Sequence, residues 1–215
     1  MREIKEPPDT RSGATSETNL DLKSTQPQEL LLKLGAQQGF IDALRKAMYA
    51  AEHPPSDSEV MNILERSLAS VVEVTGSEEG ALMLQDDVAG ELVFVVTKGV
   101  VRDKNEIWTN IPEGVSIARW VAKHKRAAIV NDVLNDERAH SVYDSKHANS
   151  IKSILAVPLV ADDHLLGVVE VLNKQKGALF TIGDQARLEL MCHFDGELLT
   201  KIAHRAEQQK LENLN

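Results

Sequence analysis

Cysteine is nearly absent from this 215-residue chain, which contains only Cys192. A single cysteine excludes an internal disulfide, a thiolate zinc cluster and a two-cysteine redox pair. The chain also lacks a run of the ~20 apolar residues that a membrane-spanning helix requires. Its first residues, MREIKEPPDT, lack the basic start and apolar stretch of a signal peptide. These absences predict a cytoplasmic protein without a membrane segment.

Positive charge is also scarce, since 24 basic side chains face 33 acidic ones and the formal net charge is −9. Neutralising the phosphates of a nucleic acid requires a basic face, so we expect no nucleic-acid binding. The local exception is a basic run, Arg119 and Lys123–Arg126. Cations at the end of a helix complement its dipole. We interpret the run mainly as a solvated helix end, with anion binding or partner docking as the alternative.

Sequence motifs of catalysis are missing as well. The chain contains no nucleophile elbow, no phosphate-binding glycine loop and no HExxH or CxxC motif. We therefore predict that the protein is not an enzyme. Among its seven histidines, His140 and His147 are seven residues apart, and only Asp144 between them offers a carboxylate for a metal site. We therefore expect no metal site.

The composition divides the chain into three segments. Residues 1–27 are rich in Pro, Thr, Ser and charged residues, which predicts a disordered tail. Residues 28–55 show apolar residues at intervals of three and four, which predicts a helix that ends at Pro54-Pro55. Residues 56–215 form the folded domain.

The N-terminal helix carries an apolar seam with one polar member. Gly35 and Gly39 weaken the helix by ~1 kcal/mol each relative to alanine, so we expect it to need a partner and to form a homodimer contact. The alternative is that it folds back onto its own domain. The seam consists of Leu30, Leu34, Gln37, Ile41, Leu44 and Met48.

The folded domain has the pattern of an α+β protein. Helices are predicted from Ser56 or Asp57 to Gly76, over 116–125 and over 182–209. Strands are predicted over 80–84, 92–97, 127–130, 153–160 and 165–172. The last two strands are joined by Ala161–His164, and so short a connection predicts a hairpin and an antiparallel sheet.

Four sequence blocks in the folded domain carry a resemblance. They are Gly114–Ala122 (GVSIARWVA), the segment with Asn131, Asp132, Asn135, Asp136, Arg138 and Asp144, then Ser153–Leu159 (SILAVPL), and Gly167–Lys174 (GVVEVLNK) followed by Phe180 and Asp184. In this order they resemble the GAF domain, a small-molecule-binding regulatory module of cyclic-nucleotide phosphodiesterases, some adenylyl cyclases and many bacterial sensors. The last block is similar to the phosphodiesterase motif N-K-…-F-x-x-x-D-E, although Gln185 replaces the final glutamate.

The resemblance covers about residues 56–205 and implies a fold and a site. The implied fold is a central antiparallel sheet of about six strands flanked by helices, with the first and last helices packed together. The implied ligand pocket lies between the sheet and a lid within residues 131–153. The candidate ligand-binding residues mapped in this way are Ile117, Ala118, Asn131, Asp132, His140, Tyr143, Asp144, His147, Ile151, Ser153 and Glu170.

The resemblance to cyclic-nucleotide-binding members is incomplete. Ile117, Ala118, Asp144 and Glu170 match them, but His140, His147 and Ile151 stand where those members carry a tyrosine and threonines that contact the ligand. An isoleucine cannot replace a hydroxyl donor, and polar pockets discriminate sharply on such groups. Ser116 and Arg119 also replace two family glycines. The resemblance therefore favours a different, unknown ligand.

Two further features of the family concern structure and cofactors. Lys174 and Asp184 match a pair that forms a structural salt bridge between strand and final helix. Cys192-His193 follows SILAVPL, whereas the Cys-His pair of bilin-binding members precedes it, so we expect no covalent bilin and interpret Cys192 as a packing or interface residue. Haem ligation by His140 or His147 has no other support, and solvated lid histidines are the preferred interpretation.

Together these features favour a small-molecule-sensing regulatory domain that acts through a separate signalling partner protein. The alternative is a ligand-free dimerisation or scaffold module with a filled pocket. The two differ in whether a closed cavity of a few hundred Å³ lies between sheet and lid. The lid segment 135–150 is polar, and we expect it to become ordered when a ligand binds.

Overall fold

The computed structural model describes residues 27–52, 57–86, 90–99, 116–139 and 151–212. Within them the chain forms an α+β fold around one antiparallel sheet. Its five strands are β1 (Ser77–Gln85), β2 (Leu92–Lys98), β3 (Ala128–Val130), β4 (Ile154–Ala161) and β5 (His164–Lys174), in the spatial order β2-β1-β5-β4-β3. The antiparallel sheet is confirmed, and about six strands were expected where the described residues hold five.

Four helices flank the sheet. They are α1 (Pro27–Glu52), α2 (Asp57–Thr75), α3 (Ile117–His124) and α4 (Ile182–Glu212), with single 3₁₀ turns at Val133–Asn135, Glu137–Ala139 and Gln175–Gly177. Helices α2 and α4 pack on one face of the sheet, and α1 packs on both of them, so the three helices form one helical side of the domain. Helix α3 packs on the other face against β4 and β5. The expected packing of the first and last helices is therefore present.

Alternation along β5 separates the two apolar layers. Val169 and Val171 face the three-helix layer, whereas Val168 and Leu172 face α3. Successive side chains of a strand point to opposite faces, and both faces of this strand are covered. The strand is therefore apolar almost throughout, which is why its sequence shows a continuous apolar run.

A two-residue turn joins β4 to β5, as the sequence predicts. Asp162 and Asp163 both have positive φ angles, 48° and 62°. Type I′ turns need this left-handed backbone at both central residues, and aspartate tolerates it better than most side chains. The turn is braced from outside the hairpin because the Nζ of Lys125 donates a hydrogen bond to the carbonyl oxygen of Asp163.

Helix α1 packs on α2 and α4 of its own chain. Its buried side chains include Phe40, Ala47 and Ala50. Of the seam predicted from sequence, Leu44 packs against the core, but Gln37 and Ile41 are exposed. Within the chain α1 therefore buries a face that shares Leu44 with the seam, and the contact between copies for which the seam was predicted stays a prediction. Phe40, which the seam left out, contributes more apolar surface to that face than the polar Gln37 would.

Several sequence-based predictions lie outside the described residues. They concern the tail up to residue 26, the Pro54-Pro55 helix end, Gly114, the lid from residue 140 to 150, and the side chains of Leu30, Leu34 and Met48. Across the described ranges, no helix combines the length and the apolar character needed to cross a bilayer.

Candidate functional site

A row of three alanines, a threonine and a glutamate crosses the sheet, and its alanines lie on the face that α3 covers. Strand pairing places Thr97, Ala81, Glu170, Ala156 and Ala128 directly opposite one another on β2, β1, β5, β4 and β3. The three alanines belong to the apolar layer on the α3 face. Since residues directly opposite in a sheet share a face, Glu170 points to α3 as well.

Bulky residues border this row on both sides. Phe94, Met83 and Val168 align on one side, and Leu172, Ile154 and Val130 align on the other. An alanine side chain ends at Cβ, so the alanines of the row are shorter than the apolar residues on both sides. We call these five residues the alanine trough. Its alanines and Glu170 are at most 3% exposed, and Glu170 is the ionisable group at its centre.

Glu170 is fully buried, with none of its surface exposed. It has Ala81 on one side and Ala156 on the other. A carboxyl group out of contact with water is unfavourable unless polar groups or cations approach it.

Helix α3 covers one side of the trough with apolar side chains. Ile117, Ala118 and Val121 are buried against the sheet. Ser116 begins the helix, because its extended backbone (φ −134°, ψ 154°) lets its Oγ accept a hydrogen bond from the N–H of Arg119 at 3.2 Å. Two candidate residues, Ile117 and Ala118, therefore lie on the same face of the sheet as Glu170.

Two other candidates act as braces. The side chain of Asn131 makes two hydrogen bonds with the backbone of Phe180, one from its Nδ2 (3.1 Å) and one to its Oδ1 (2.7 Å). The Oγ of Ser153 accepts a hydrogen bond from the N–H of Lys174 at 3.0 Å. Asn131 thus holds the end of β3 to the segment before α4, and Ser153 holds the start of β4 to the end of β5.

The remaining candidates divide between core, surface and undescribed residues. Ile151 is buried in the apolar layer on the α3 face. Asp132 is exposed, and its Oδ2 accepts a hydrogen bond from the Nδ2 of Asn135. Four more candidates lie outside the described residues, namely His140, Tyr143, Asp144 and His147.

A clamp that the sequence analysis missed holds the first part of the predicted lid to α3. Arg138 pairs with Asp136 through two hydrogen bonds, of 2.9 and 2.6 Å, and its guanidinium lies 4.8 Å from the ring centroid of Trp120. Hydrogen bonding to the Asp136 carboxylate raises the pKa of Arg138. His124 stacks on the same indole at 4.5 Å. Spacing alone does not show that Arg138 reaches a helix that ends fourteen residues earlier.

Asn173 belongs to the last sequence block, but its role of fixing the start of β4 was not predicted. It has a left-handed backbone (φ 55°), and its Oδ1 accepts a hydrogen bond from the N–H of Lys152 at 2.8 Å. Asparagine adopts this conformation more readily than most residues. The Asn173-Lys174 pair of the last sequence block thus connects β5 to both β4 and α4.

The Lys174 and Asp184 side chains are joined, with 2.8 Å between Nζ and Oδ2. The same Oδ2 accepts hydrogen bonds from the backbone N–H and the hydroxyl of Thr181, and Thr181 Oγ1 accepts one from the N–H of Asp184. This reciprocal arrangement is a capping box at the start of α4. The pair therefore fixes the start of α4 relative to the end of β5.

Cys192 is buried in the helical layer, on the other face of the sheet from the trough. Burial is the main reason why the pKa of its thiol lies well above the usual value, and Asp195 and Glu189 add to the effect. A thiol held neutral is a poor nucleophile. Within the described ranges, no group of three His, Cys, Asp or Glu side chains is arranged to hold a metal ion.

Comparison with known families gives a match over most of the chain. The sequence profile described as "GAF domain" matches residues 57–194, which is more than half of the 215 residues. The match includes the alanine trough, α3 and the Lys174–Asp184 pair.

Curated relatives match over shorter stretches. A dual 3',5'-cyclic-AMP and -GMP phosphodiesterase 11A of Takifugu rubripes is 29% identical over 99 residues, covering 45% of this chain and 11% of the relative. A probable 3',5'-cyclic phosphodiesterase pde-5 of Caenorhabditis elegans is 31% identical over 80 residues, covering 37% and 11%. The matched stretch is about a tenth of the length of these relatives.

Solved structures share the fold at low identity. The GAF domain of a phosphoenolpyruvate-protein phosphotransferase from Coxiella burnetii is 18% identical, with a TM-score of 0.63 over 79% of this chain and 98% of that one. The corresponding Acinetobacter domain is 17% identical, with a TM-score of 0.60 over 76% and 94%. Free methionine-R-sulfoxide reductase from Neisseria meningitidis is 20% identical, with a TM-score of 0.56 over 74% and 87%. The fold thus occurs both as a domain of phosphotransferases and in a reductase.

Proposed function

The chain belongs to the GAF domain family, a family of sensory and regulatory domains, and on that premise we propose that it is a small-molecule-sensing regulatory protein. Its ligand would bind in the alanine trough, between the sheet and the segment that follows β3. The observation that carries the proposal is the placement of Glu170 between Ala81 and Ala156 beneath α3.

The chemistry of the trough restricts the ligand. Its floor offers apolar surface from the alanines and the flanking ridges, together with one carboxyl group, that of Glu170. Small-molecule sites commonly combine an apolar lining with a few polar groups that fix orientation. We infer a ligand with a flat or narrow apolar part and a hydrogen-bond donor or cationic group that meets Glu170.

Strands β4 and β5 offer a route from the trough to the helical layer. Both strands contribute alternate residues to the two apolar layers, and β4 packs on α4. A ligand that displaced Ala156 would therefore shift its neighbours Leu155 and Val157, which face the helices. Closely packed interiors transmit such shifts rather than absorb them.

In this proposal the signal is transmitted to a second protein. We infer that the protein forms a homodimer through its terminal helices and that a separate signalling protein senses their packing. Exposed apolar side chains on these helices support a contact between copies; they include Leu32, Ile41, Tyr49 and Leu211. Burying such a side chain contributes ~1.5–3 kcal/mol.

Cyclic nucleotides are a second candidate ligand class, because the curated relatives are phosphodiesterases of 3',5'-cyclic nucleotides. Ile151 weakens this candidate, since it is buried in the apolar layer where a hydroxyl donor would be needed. The alternative function, a ligand-free scaffold, requires that side chains fill the trough.

The test is native mass spectrometry of freshly purified full-length chain beside Ala156→Leu. A co-purified small molecule in the wild-type chain, absent from Ala156→Leu, would support the proposal because leucine occupies the trough. Thermal shift with cyclic AMP and cyclic GMP tests the second candidate in the same preparations.

The stability of the Ala156→Leu variant distinguishes the sensing function from the scaffold function. If the trough is open, leucine at position 156 fills empty space and should change the free energy of unfolding little. In a filled interior it overpacks the sheet and should lower the free energy of unfolding by roughly 1–3 kcal/mol. An unliganded wild-type chain together with a strongly destabilised Ala156→Leu would contradict sensing and favour the scaffold.

A further inference from the structure

A groove of about 540 Å³ lies at the β3–β4 edge of the sheet, outside the alanine trough. Strand β3 pairs with β4 only through residues 154–156, so β4 continues beyond it. There the groove is bounded by the connection from α3 to β3 on one side and by the first half of α4 on the other. We call it the edge groove.

One wall of the edge groove is cationic. It is formed by Lys125, Arg126 and Ala127, and both basic residues are exposed. Lys125 ends α3 with a left-handed backbone (φ 50°), and its Nζ donates a hydrogen bond to the carbonyl oxygen of Asp163 at 3.0 Å. The backbone turn and this hydrogen bond hold the cation beside the groove in a chain whose net charge is −9.

The opposite wall on α4 is polar and includes one carboxylate. Gln185, Glu189 and His193 line it. The Nε2 of Gln185 donates a hydrogen bond to the Oε1 of Glu189 at 2.7 Å, and the Nε2 of His193 lies 3.6 Å from the Oε1 of Glu197. Glu189 is the one carboxylate among the residues that line the groove, and it lies on the wall opposite Lys125 and Arg126.

The floor between the walls is apolar. Val157, Pro158 and Val160 of β4 form it, with the buried Cys192 at its α4 side. Proline carries no N–H group, so it is tolerated in a strand where no neighbouring strand needs that donor. An apolar floor between a cationic and a polar wall matches an acidic segment that carries an apolar side chain.

We propose that the edge groove is the docking site for an acidic segment of a partner protein, with an apolar side chain seated on the partly exposed Pro158 and Val160. The attraction comes from Lys125 and Arg126, and exposed charges of this kind contribute chiefly to specificity and to the association rate. The partner would be the separate signalling protein of the proposed function, on which this inference rests. Docking needs no ligand in the alanine trough.

The experiment is a nuclear magnetic resonance titration of the ¹⁵N-labelled full chain with a blocked pentapeptide of four glutamates around a central leucine. We expect shifts at the groove residues and roughly fivefold weaker binding by Arg126→Glu. Glu189→Gln, which removes the opposing carboxylate, should bind about twofold more tightly. The matched control is Lys123→Glu, which makes the same charge change on α3 outside the groove lining and should bind as the wild type does.

Several results would overturn the proposal. A peptide with glutamines in place of the glutamates would have to bind as tightly as the acidic peptide, or Lys123→Glu would have to weaken binding as much as Arg126→Glu does. Chemical-shift changes centred on α3 and the alanine trough would also contradict the proposal, as would the absence of binding at millimolar peptide. If benzoate bound the groove as tightly as the peptide does, the groove would be a site for a small organic anion rather than for a segment of a partner protein. Glu170→Gln, which alters the alanine trough, should leave peptide binding unchanged. A failure of the sensing proposal can therefore be distinguished from a failure of the docking proposal.

Discussion

The hydroxyl of Ser67 on α2 donates a 2.9 Å hydrogen bond to the carboxyl group of Asp195 on α4, and both side chains are buried. Burial raises the pKa of Asp195 from 3.8 to about 7, against the opposing effect of the Ser67 hydrogen bond. Ser67 is a neutral donor, so it offsets only part of the cost of a buried negative charge. The contact between these two helices therefore contains a carboxyl group that titrates near neutral pH.

Asp195 should make the protein less stable as the pH rises. Between pH 4 and 7 the folded state keeps a proton that the unfolded state has lost, so the free energy of unfolding decreases over this window, by up to about 4 kcal/mol. The asparagine of Asp195→Asn cannot ionise and still accepts the Ser67 hydrogen bond. The free energy of unfolding of this variant should therefore vary less with pH, and at pH 8 it should be higher than that of the wild type. Urea unfolding at pH 5 and pH 8 measures this.

The control for this prediction is Asp163→Asn in the exposed β4–β5 turn, which should keep the wild-type pH dependence. A pH dependence that is the same in the wild type and in Asp195→Asn would show that Asp195 is not its source.

Asp184→Ala should destabilise the fold by about 2–4 kcal/mol. The change leaves Lys174 without its partner and also removes the capping box with Thr181 at the start of α4. Arg187→Ala is the matched control, because Arg187 is more exposed and its Nη1 lies 3.6 Å from Asp184 Oδ1, so its loss should cost under about 1 kcal/mol. Thermal unfolding measures both. An Asp184→Ala variant with unchanged melting temperature and lost ligand binding would reverse the structural assignment.

Gly167→Ala should be among the most damaging single substitutions in the sheet. A Cβ at this position of β5 would overlap the carbonyl oxygen of Met83 on β1, so the two paired strands would have to separate. We expect a loss of about 3 kcal/mol or more. Gly39→Ala on α1 is the contrasting variant, since nothing lies within 4 Å of its added Cβ, and it should stabilise the helix by about 0.5–1 kcal/mol. Similar melting temperatures for the two variants would refute the predicted strand contact.

Ile41→Glu should convert the proposed homodimer into a monomer. Ile41 is 42% exposed on α1, so a charge there disturbs a contact between copies rather than the core. Lys46→Glu alters the charge of another exposed position on the same helix and should leave the dimer intact. Light scattering at micromolar concentration measures the mass. A monomeric wild-type chain refutes the dimer, and an Ile41→Glu dimer moves the interface away from this part of α1.

Much of the fold could be predicted from local patterns. The apolar stretches that became β4 and β5, the aspartate turn between them and the start of α4 at Thr181 all depend on neighbours in sequence. The face that α1 buries was predicted less well, because an apolar helix position is compatible with either a partner copy or the chain's own core. Only Phe40, Ala47 and Ala50 in contact with the domain decide which face packs inward.

The sequence by itself determined the α+β class, the order of strands and helices, and the family blocks that include Glu170, Lys174 and Asp184. Tertiary structure alone decided that three alanines from separate strands align beside Glu170, and that Ser67 meets Asp195 across 128 positions. The physical reason is that periodicity and turn chemistry act over a few residues, whereas strand register and helix packing depend on the collective burial of the whole core. A buried carboxyl group or a groove at a sheet edge is a product of that packing, and local spacing does not contain it.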